Sequence, residues 1–170
     1  MDRGDEEAFR LLYRRHTPRL YAVALRLLAG RSADAEDVVQ DAWLRSAARL
    51  ADFEWRSALS TWLIAIVINC ARERLRMRPI VTAEPDDVAQ VVARPESPHV
   101  AIDLERAIAA LPDRRRQVLV LHDIEGWTHA EIGRHLDMPA GTSKSDLFQA
   151  RRAVRASLTA RTAEVPDHAG

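Results

Sequence analysis

A single cysteine in 170 residues, Cys70, excludes an internal disulfide framework. No basic, apolar, small-residue leader opens the chain either, so the expected setting is the reducing cytoplasm. Long hydrophobic runs are missing too. The longest extends from Trp62 to Ile68, far short of the roughly 20 apolar residues that cross a bilayer, and it reads as a core segment. Glycine and proline are few, 6 and 8, and cluster at boundaries, while strand signals are nearly absent. Catalytic constellations are lacking as well: no serine, cysteine or carboxylate pair stands beside an orienting base, which argues against an enzyme. His122, His129 and His135, with Glu125 and Glu131, match no zinc signature, and His129 and His135 fall on different helix faces, so neither a metal nor another cofactor is expected.

Net charge is also absent, with 25 Lys and Arg against 25 Asp and Glu. That balance hides segregation. Residues 1–78 hold 14 basic and 11 acidic residues, residues 79–111 hold 2 and 6, and residues 112–170 hold 9 and 8. A neutral chain that binds nucleic acid needs such local clusters or a partner that supplies affinity.

What the chain does have is apolar spacing of helical period over most of its length, so the fold class is all-α. The pattern predicts helices at about Glu6 to Leu28, Ala33 to Arg49, Ala58 to Met77, Ile102 to Leu111, Pro112 to Asp123, Thr128 to Leu136 and Ser143 to Thr159. Between Pro79 and Pro98 the period breaks into PIVTAEPDDVAQVVARPESP, an acidic, proline-containing connector. The expected organisation is a helical domain over 1–78, a linker over 79–100, a second helical domain over 101–161 and a disordered tail over 162–170.

The most informative motif lies between Leu111 and Leu158, where two short helices meet at a tight turn. Thr128 is a good N-cap for HAEIGRHL, and Asp137 suits a left-handed turn position. Pro139-Ala140-Gly141-Thr142 stops one helix and starts the next. The exposed face of that next helix is expected to carry Lys144, Ser145, Asp146, Phe148, Gln149 and Arg152, polar groups at the end that enters a major groove in helix-turn-helix proteins.

Two segments stand out in the first domain. In SADAEDVVQDAWL (Ser32 to Leu44), Ser32 or Asp34 is the expected cap, and Asp37, Gln40 and Asp41 share one side at i, i+3 and i+4. Taken alone, that face reads first as an ordinary solvated surface. In DFEWRSALSTWLIAIVINCARERLRMR (Asp52 to Arg78), a loop with Phe53, Trp55 and Arg56 leads into a helix on which Asn69, Arg72 and Arg76 share a face. An amide beside a guanidinium row suits phosphates and base edges, and an aromatic and arginine loop suits an unstacked base. The same residues also read as core and as a favourable helix end. Trp43, Trp62 and Trp127 read as core, with Trp62 beneath that loop.

Taken in order, these segments resemble a bacterial sigma factor of the extracytoplasmic-function type, the minimal kind with regions 2 and 4 only. AFRLLYRRHTPRLYAVALRLL (Ala8 to Leu28) is similar to region 2.1, DAEDVVQDAWLR (Asp34 to Arg45) to region 2.2, Asp52 to Arg76 to regions 2.3 and 2.4, and Leu111 to Ser145 to region 4. The resemblance implies that Asp37, Gln40 and Asp41 dock on the clamp helices of the RNA polymerase β′ subunit. It implies that the loop Glu54 to Ser60, with Trp55, Arg56 and Ser57, receives a base flipped from the non-template strand of the minus-ten element, while Asn69, Arg72 and Arg76 hold that strand. It implies that the acidic connector threads the polymerase channel. Region 4 would read the minus-thirty-five element through Thr142, Lys144, Ser145, Asp146, Phe148, Gln149 and Arg152 while packing on the β flap. The implied partners are core RNA polymerase, promoter DNA and, as for most of the family, an anti-sigma factor, with no membrane insertion.

This chain departs from the family pattern at several positions. Ala65 stands where a basic residue is usual, Asp146 and Gln149 replace basic residues of the recognition helix, and Asp137 takes the place of a turn glycine. Aspartate repels phosphate but can accept from cytosine, and glutamine suits adenine. Two other readings are a helix-turn-helix regulator that acts without polymerase and a sigma-like adaptor that has lost promoter reading. The first leaves the Asp37, Gln40 and Asp41 face and the arginine row unexplained.

Overall fold

A computed structural model describes residues 3–50, 53–54, 57–77 and 98–164. Every regular element among them is helical, and the chain divides into two compact units, residues 1–89 and 90–170. The all-α reading therefore holds. The acidic connector up to residue 97, Trp55, Arg56 and residues 165–170 lie outside the described residues, whereas residues 98–100 of the expected linker are helical.

The first unit packs α1 (Arg3–Leu27), α2 (Ser32–Arg49) and α3 (Leu59–Arg76) against one another. Leu20, Val23, Leu25 and Leu28 are buried, as are Val38, Val39 and Ala42 of α2 and Leu63, Ile64, Val67, Ile68 and Ala71 of α3, and these make the core on which the three helices pack. The apolar stretch read from the sequence as core is core. Trp43 is buried with its ring against Phe9 and Tyr13, and its indole N–H donates to Thr17 Oγ1 at 3.0 Å, so its one polar atom is satisfied. Phe53 is buried against the ring of Trp62, 5.0 Å between centroids.

Neither Ser32 nor Asp34 caps α2: the N-cap is Arg31, with no side-chain cap bond. Asp34 sits in the first turn, where the helix dipole favours a carboxylate, and is taken by guanidinium groups instead. Arg31 Nε donates to Oδ2 at 2.9 Å and Arg74 Nε of α3 to Oδ1 at 2.8 Å. Burial pushes the Asp34 carboxyl up, but the bonds and charges of Arg74 and Arg31 outweigh it and hold it below the usual range.

The second unit consists of α4 (Pro98–Ala109), α5 (Asp113–Leu119) running into a π turn at Val120–Ile124, α6 (His129–Leu136) and α7 (Ala140–Glu164). Arg116 is buried, yet it donates to the Ala109 and Leu111 carbonyls at 3.3 and 2.7 Å and pairs with Asp113, so it satisfies the open carbonyls at the end of α4. In the π turn the Glu125 amide reaches back to the Val120 carbonyl at 3.0 Å, and Gly126, at φ 75°, turns the chain toward α6.

The helix-turn-helix forms where the sequence places it. Thr128 caps α6 through a reciprocal box: its Oγ1 accepts from the Glu131 amide, and its own amide donates to Glu131 Oε2 at 2.8 Å. Asp137 occupies the left-handed region at φ 56° and ψ 54°. A Cβ on Gly133 would lie 2.6 Å from the Met138 carbonyl oxygen, so the turn closes against the bare backbone of a glycine. Both ends of the last helix differ from expectation, as does the start of α4, which lies at Pro98 and not Ile102. The last helix begins at Ala140, because the Pro139 carbonyl accepts the Ser143 amide at 3.1 Å. It continues to Glu164, so residues 162–164 of the expected tail are helical.

Candidate nucleic-acid interface

On α2 the side opposite the core carries Asp37, Gln40 and Asp41, all exposed. Asp37 is held to α3, with Arg74 Nη2 2.7 Å from its Oδ2. The same face also presents Leu44, 71 % exposed, which sequence reasoning passed over. It stands three residues after Asp41 and seven after Asp37. A leucine at that spacing on the polar side of an amphipathic helix is the signal that could have found it.

Around the flank of the same bundle, Asn69, Arg72 and Arg76 of α3 come together as their spacing predicts. They line a groove of 250 Å³ with Glu73, Ile66 and two residues of α2, Arg45 and Arg49. Arg45 grips Glu73 with both terminal nitrogens, at 2.9 and 2.6 Å, and this grip holds the Glu73 carboxyl below the usual range. The one carboxylate of the lining is thus engaged, and the groove keeps a cationic excess. Nothing in linear spacing joins Arg45 and Arg49 to Asn69; packing of α2 on α3 does. Arg74, by contrast, faces α2 and is occupied there. Ala65 lies four residues before Asn69 on the strip that Arg72 and Arg76 continue, and it is half-buried. In the loop before α3, Ser57 is exposed, and Trp62 in the first turn of that helix packs against Phe53.

In the second unit α7 shows Lys144, Ser145, Phe148 and Arg152 to solvent, with Phe148 65 % exposed, and Thr142 and Gln149 half-buried at one edge. Asp146 departs from the exposed face expected of it. It is buried, and Arg114 of α5 covers it, with Nη2 donating to Oδ1 at 3.1 Å and Nε 2.7 Å from Oδ2. The reason is angular: at about 100° per residue, position 146 falls between the outward strip of Ser145 and Arg152 and the buried strip of Ser143, Leu147, Ala150 and Val154.

Behind the recognition helix, His129 Nδ1 lies 2.9 Å from the hydroxyl of buried Ser143, and its ring stacks on His122, 4.5 Å between centroids. His122 bonds Asp123, whose carboxylate is gripped by Arg151 of α7 at 2.9 and 2.6 Å. His135 turns the other way, its ring edge-on to Trp127 and its Nδ1 donating to the Glu131 carbonyl. His129 thus ties α6 to α7, whereas the His135 hydrogen bond stays within α6. On the α4 side of this unit, Leu104, Ile108, Leu119, Ile124, Val154 and Leu158 line an apolar groove of 680 Å³, rimmed by Asp123, Arg151 and Arg155.

Comparison with known proteins matches both units. The family described as "Sigma-70 region 2" covers residues 12–78, and "Sigma-70, region 4" covers residues 101–154. The "ECF RNA polymerase sigma factor SigM" of Mycobacterium tuberculosis is 38 % identical over 149 residues, 87 % of this chain and 76 % of that protein. The "ECF RNA polymerase sigma factor SigW" of Bacillus subtilis is 31 % identical over 172 residues, 92 % of this chain and 91 % of that protein. Among solved structures, the sigma factor RpoE of Bartonella quintana, crystallised with the anti-sigma factor NepR, shares the fold at a TM-score of 0.69 and 23 % identity, over 90 % of this chain and 98 % of that one.

Proposed function

Because the chain belongs to the sigma-70 family, among its extracytoplasmic-function sigma factors, we propose that it binds core RNA polymerase and directs initiation by reading a minus-thirty-five element and melting a minus-ten element. The observation that carries this reading is the pairing, in one chain, of a cationic groove at Asn69, Arg72 and Arg76 with a helix-turn-helix whose outward face holds Lys144, Ser145, Phe148 and Arg152.

In the first unit, Asp37, Gln40 and Asp41, with Leu44, form the surface that docks on the β′ clamp helices, a mixed acidic and apolar patch suited to a basic helical partner. The loop with Trp55, Arg56 and Ser57 captures a flipped base, and the arginine groove, extended by Arg45 and Arg49, holds the strand that follows. Capture offsets an unpairing cost of a few kcal/mol without ATP. Thr142, Lys144, Ser145, Phe148, Gln149 and Arg152 read the minus-thirty-five duplex, and the apolar groove beside Leu104 and Ile124 takes the β flap. An anti-sigma factor is a further partner of this class. No helix among the described residues is long and apolar enough to cross a membrane, in keeping with action on polymerase in the cytoplasm. The reading assigns no catalysis to the chain.

The test is transcription in vitro with core polymerase on a promoter library. Defined start sites support the reading. Polymerase binding without initiation favours an adaptor, and duplex binding without polymerase a conventional regulator.

A further inference from the structure

We propose that Arg114, carried by α5 and not by the recognition helix, makes a phosphate contact in the minus-thirty-five interface, and that buried Asp146 is the residue that positions it. The inference rests on the DNA-reading role proposed above for α7. Asp146 stands in the second turn of α7, one helical step from Ser145 and three residues before Gln149. A bare carboxylate at that point would face the phosphates of any duplex lying against Ser145 and Arg152, and a like-charge encounter of that kind costs affinity. It is not bare. Its side chain is 6 % exposed under the guanidinium of Arg114, whose own side chain is 64 % exposed.

The geometry of the pair matters as much as its charge. Arg114 meets Asp146 along its Nε and Nη2 edge, at 2.7 and 3.1 Å. Nη2 makes the hydrogen bond, to Oδ1, while Nε stands by Oδ2 as a close charge contact outside hydrogen-bond geometry, so one bond and one charge contact hold the guanidinium over the carboxylate. Part of the rotamer entropy that a free surface arginine loses on binding is here lost on folding instead. Because Arg114 covers Asp146, which at about 100° per residue lies on the same flank of α7 as Thr142 and Gln149, a group at this place meets the wall of a groove that α7 enters, where the sugar-phosphate backbone runs, not its floor of base edges. The acidic residue of the recognition helix is thus exchanged for a basic group one helix away.

The experiment uses the full chain assembled with core polymerase. A randomised duplex library selected with the wild-type assembly supplies the labelled probe, and affinity is followed from about 50 to about 200 mM salt. Each phosphate contact contributes about 0.9 to the slope of log affinity against log salt. Arg114→Gln is expected to make the slope shallower by about 0.9, so that its affinity falls about 3.5-fold less than that of wild type across this range. Arg114→Lys, which keeps the cation, is expected to keep the slope. Asp146→Asn, which frees the guanidinium, is expected to give a slope between those of wild type and Arg114→Gln. A purely structural tie would lower the unfolding midpoint of Arg114→Gln and leave the slope alone, and that result overturns the proposal. Arg152→Gln on the outward face separates the two levels. If it alone makes the slope shallower, Arg114 is no contact; if neither variant does so, or no duplex is selected, the DNA reading of α7 itself fails.

Discussion

The imidazole of His129 is lowered below its ordinary pKa, first by burial and then by the cationic field of His122, Lys144 and Arg151, against which Asp123 pulls upward. The unfolded chain therefore binds a proton more readily than the folded one, and the stability this group contributes is complete above about 6.5 and lost as pH falls through the folded value. Asp123 and Glu131 nearby are held below the usual carboxylate range, by Arg151 and by Thr128, and stay ionised through that window. In the full chain the His129 ring should titrate below 6.5 by NMR, and His129→Gln should reduce the drop in thermal midpoint between about pH 7.5 and about pH 5.5. His16, lowered by burial and by Arg15 and Arg19, contributes in the same direction from the other unit. A titration midpoint at or above 6.5 would refute the assignment. Ala65 invites the opposite manipulation, the addition of a group. Ala65→Arg prolongs the row of Asn69, Arg72 and Arg76 by one turn and should steepen the salt dependence of single-strand minus-ten binding by about 0.7. An unchanged slope would mean that the row ends at Asn69. Single residues governed by their own backbone were legible in the sequence, as Thr128 and Asp137 show. Asp146 was not, because its partner stands 32 positions earlier in the chain.

Among the elements, the turn between α6 and α7 depends most on one atom. A methyl group at Gly133 would meet the Met138 carbonyl oxygen at 2.6 Å, and because that oxygen belongs to backbone the turn must open to admit it. Overpacking of this kind costs about 1–3 kcal/mol. Gly133→Ala should therefore lower the melting temperature of the second unit by roughly 4–20 °C and weaken duplex binding, since α7 is aimed by this turn. A variant as stable as wild type would show that the turn yields cheaply. The helices themselves were readable from period and capping signals, and six of the seven fall within about three residues of their expected starts. The π turn after α5 was not readable, since widening by one residue leaves the apolar period nearly intact. The start of α2 was misread for a different reason. Its acidic first turn resembles a capping signal, but Arg74, from a helix 40 residues later, claims Asp34.

Across the molecule, the chain divides into two compact units, and the surface proposed to dock on the polymerase clamp belongs to the first of them. Asp41→Arg should weaken association of the full chain with core polymerase, and Leu44→Ser should do so too, each by about tenfold if it belongs to the minority of interface residues whose loss costs more than about 1 kcal/mol. Thermal midpoints should hardly move, because both side chains are exposed. Unchanged affinity in both variants would dissociate this face from polymerase. By itself the sequence determined the all-α class, the helix-turn-helix with its cap and left-handed turn, the grouping of Asn69, Arg72 and Arg76, and the family. These follow from local periodicity and backbone preference, which act over a few residues. Only the tertiary structure decided that Arg45 and Arg49 join the groove of Asn69, Arg72 and Arg76, that Leu44 stands bare beside Asp41, and that Asp146 is buried under an exposed Arg114. Those outcomes depend on which helix flank meets which, a property of packing between distant segments that no local pattern encodes.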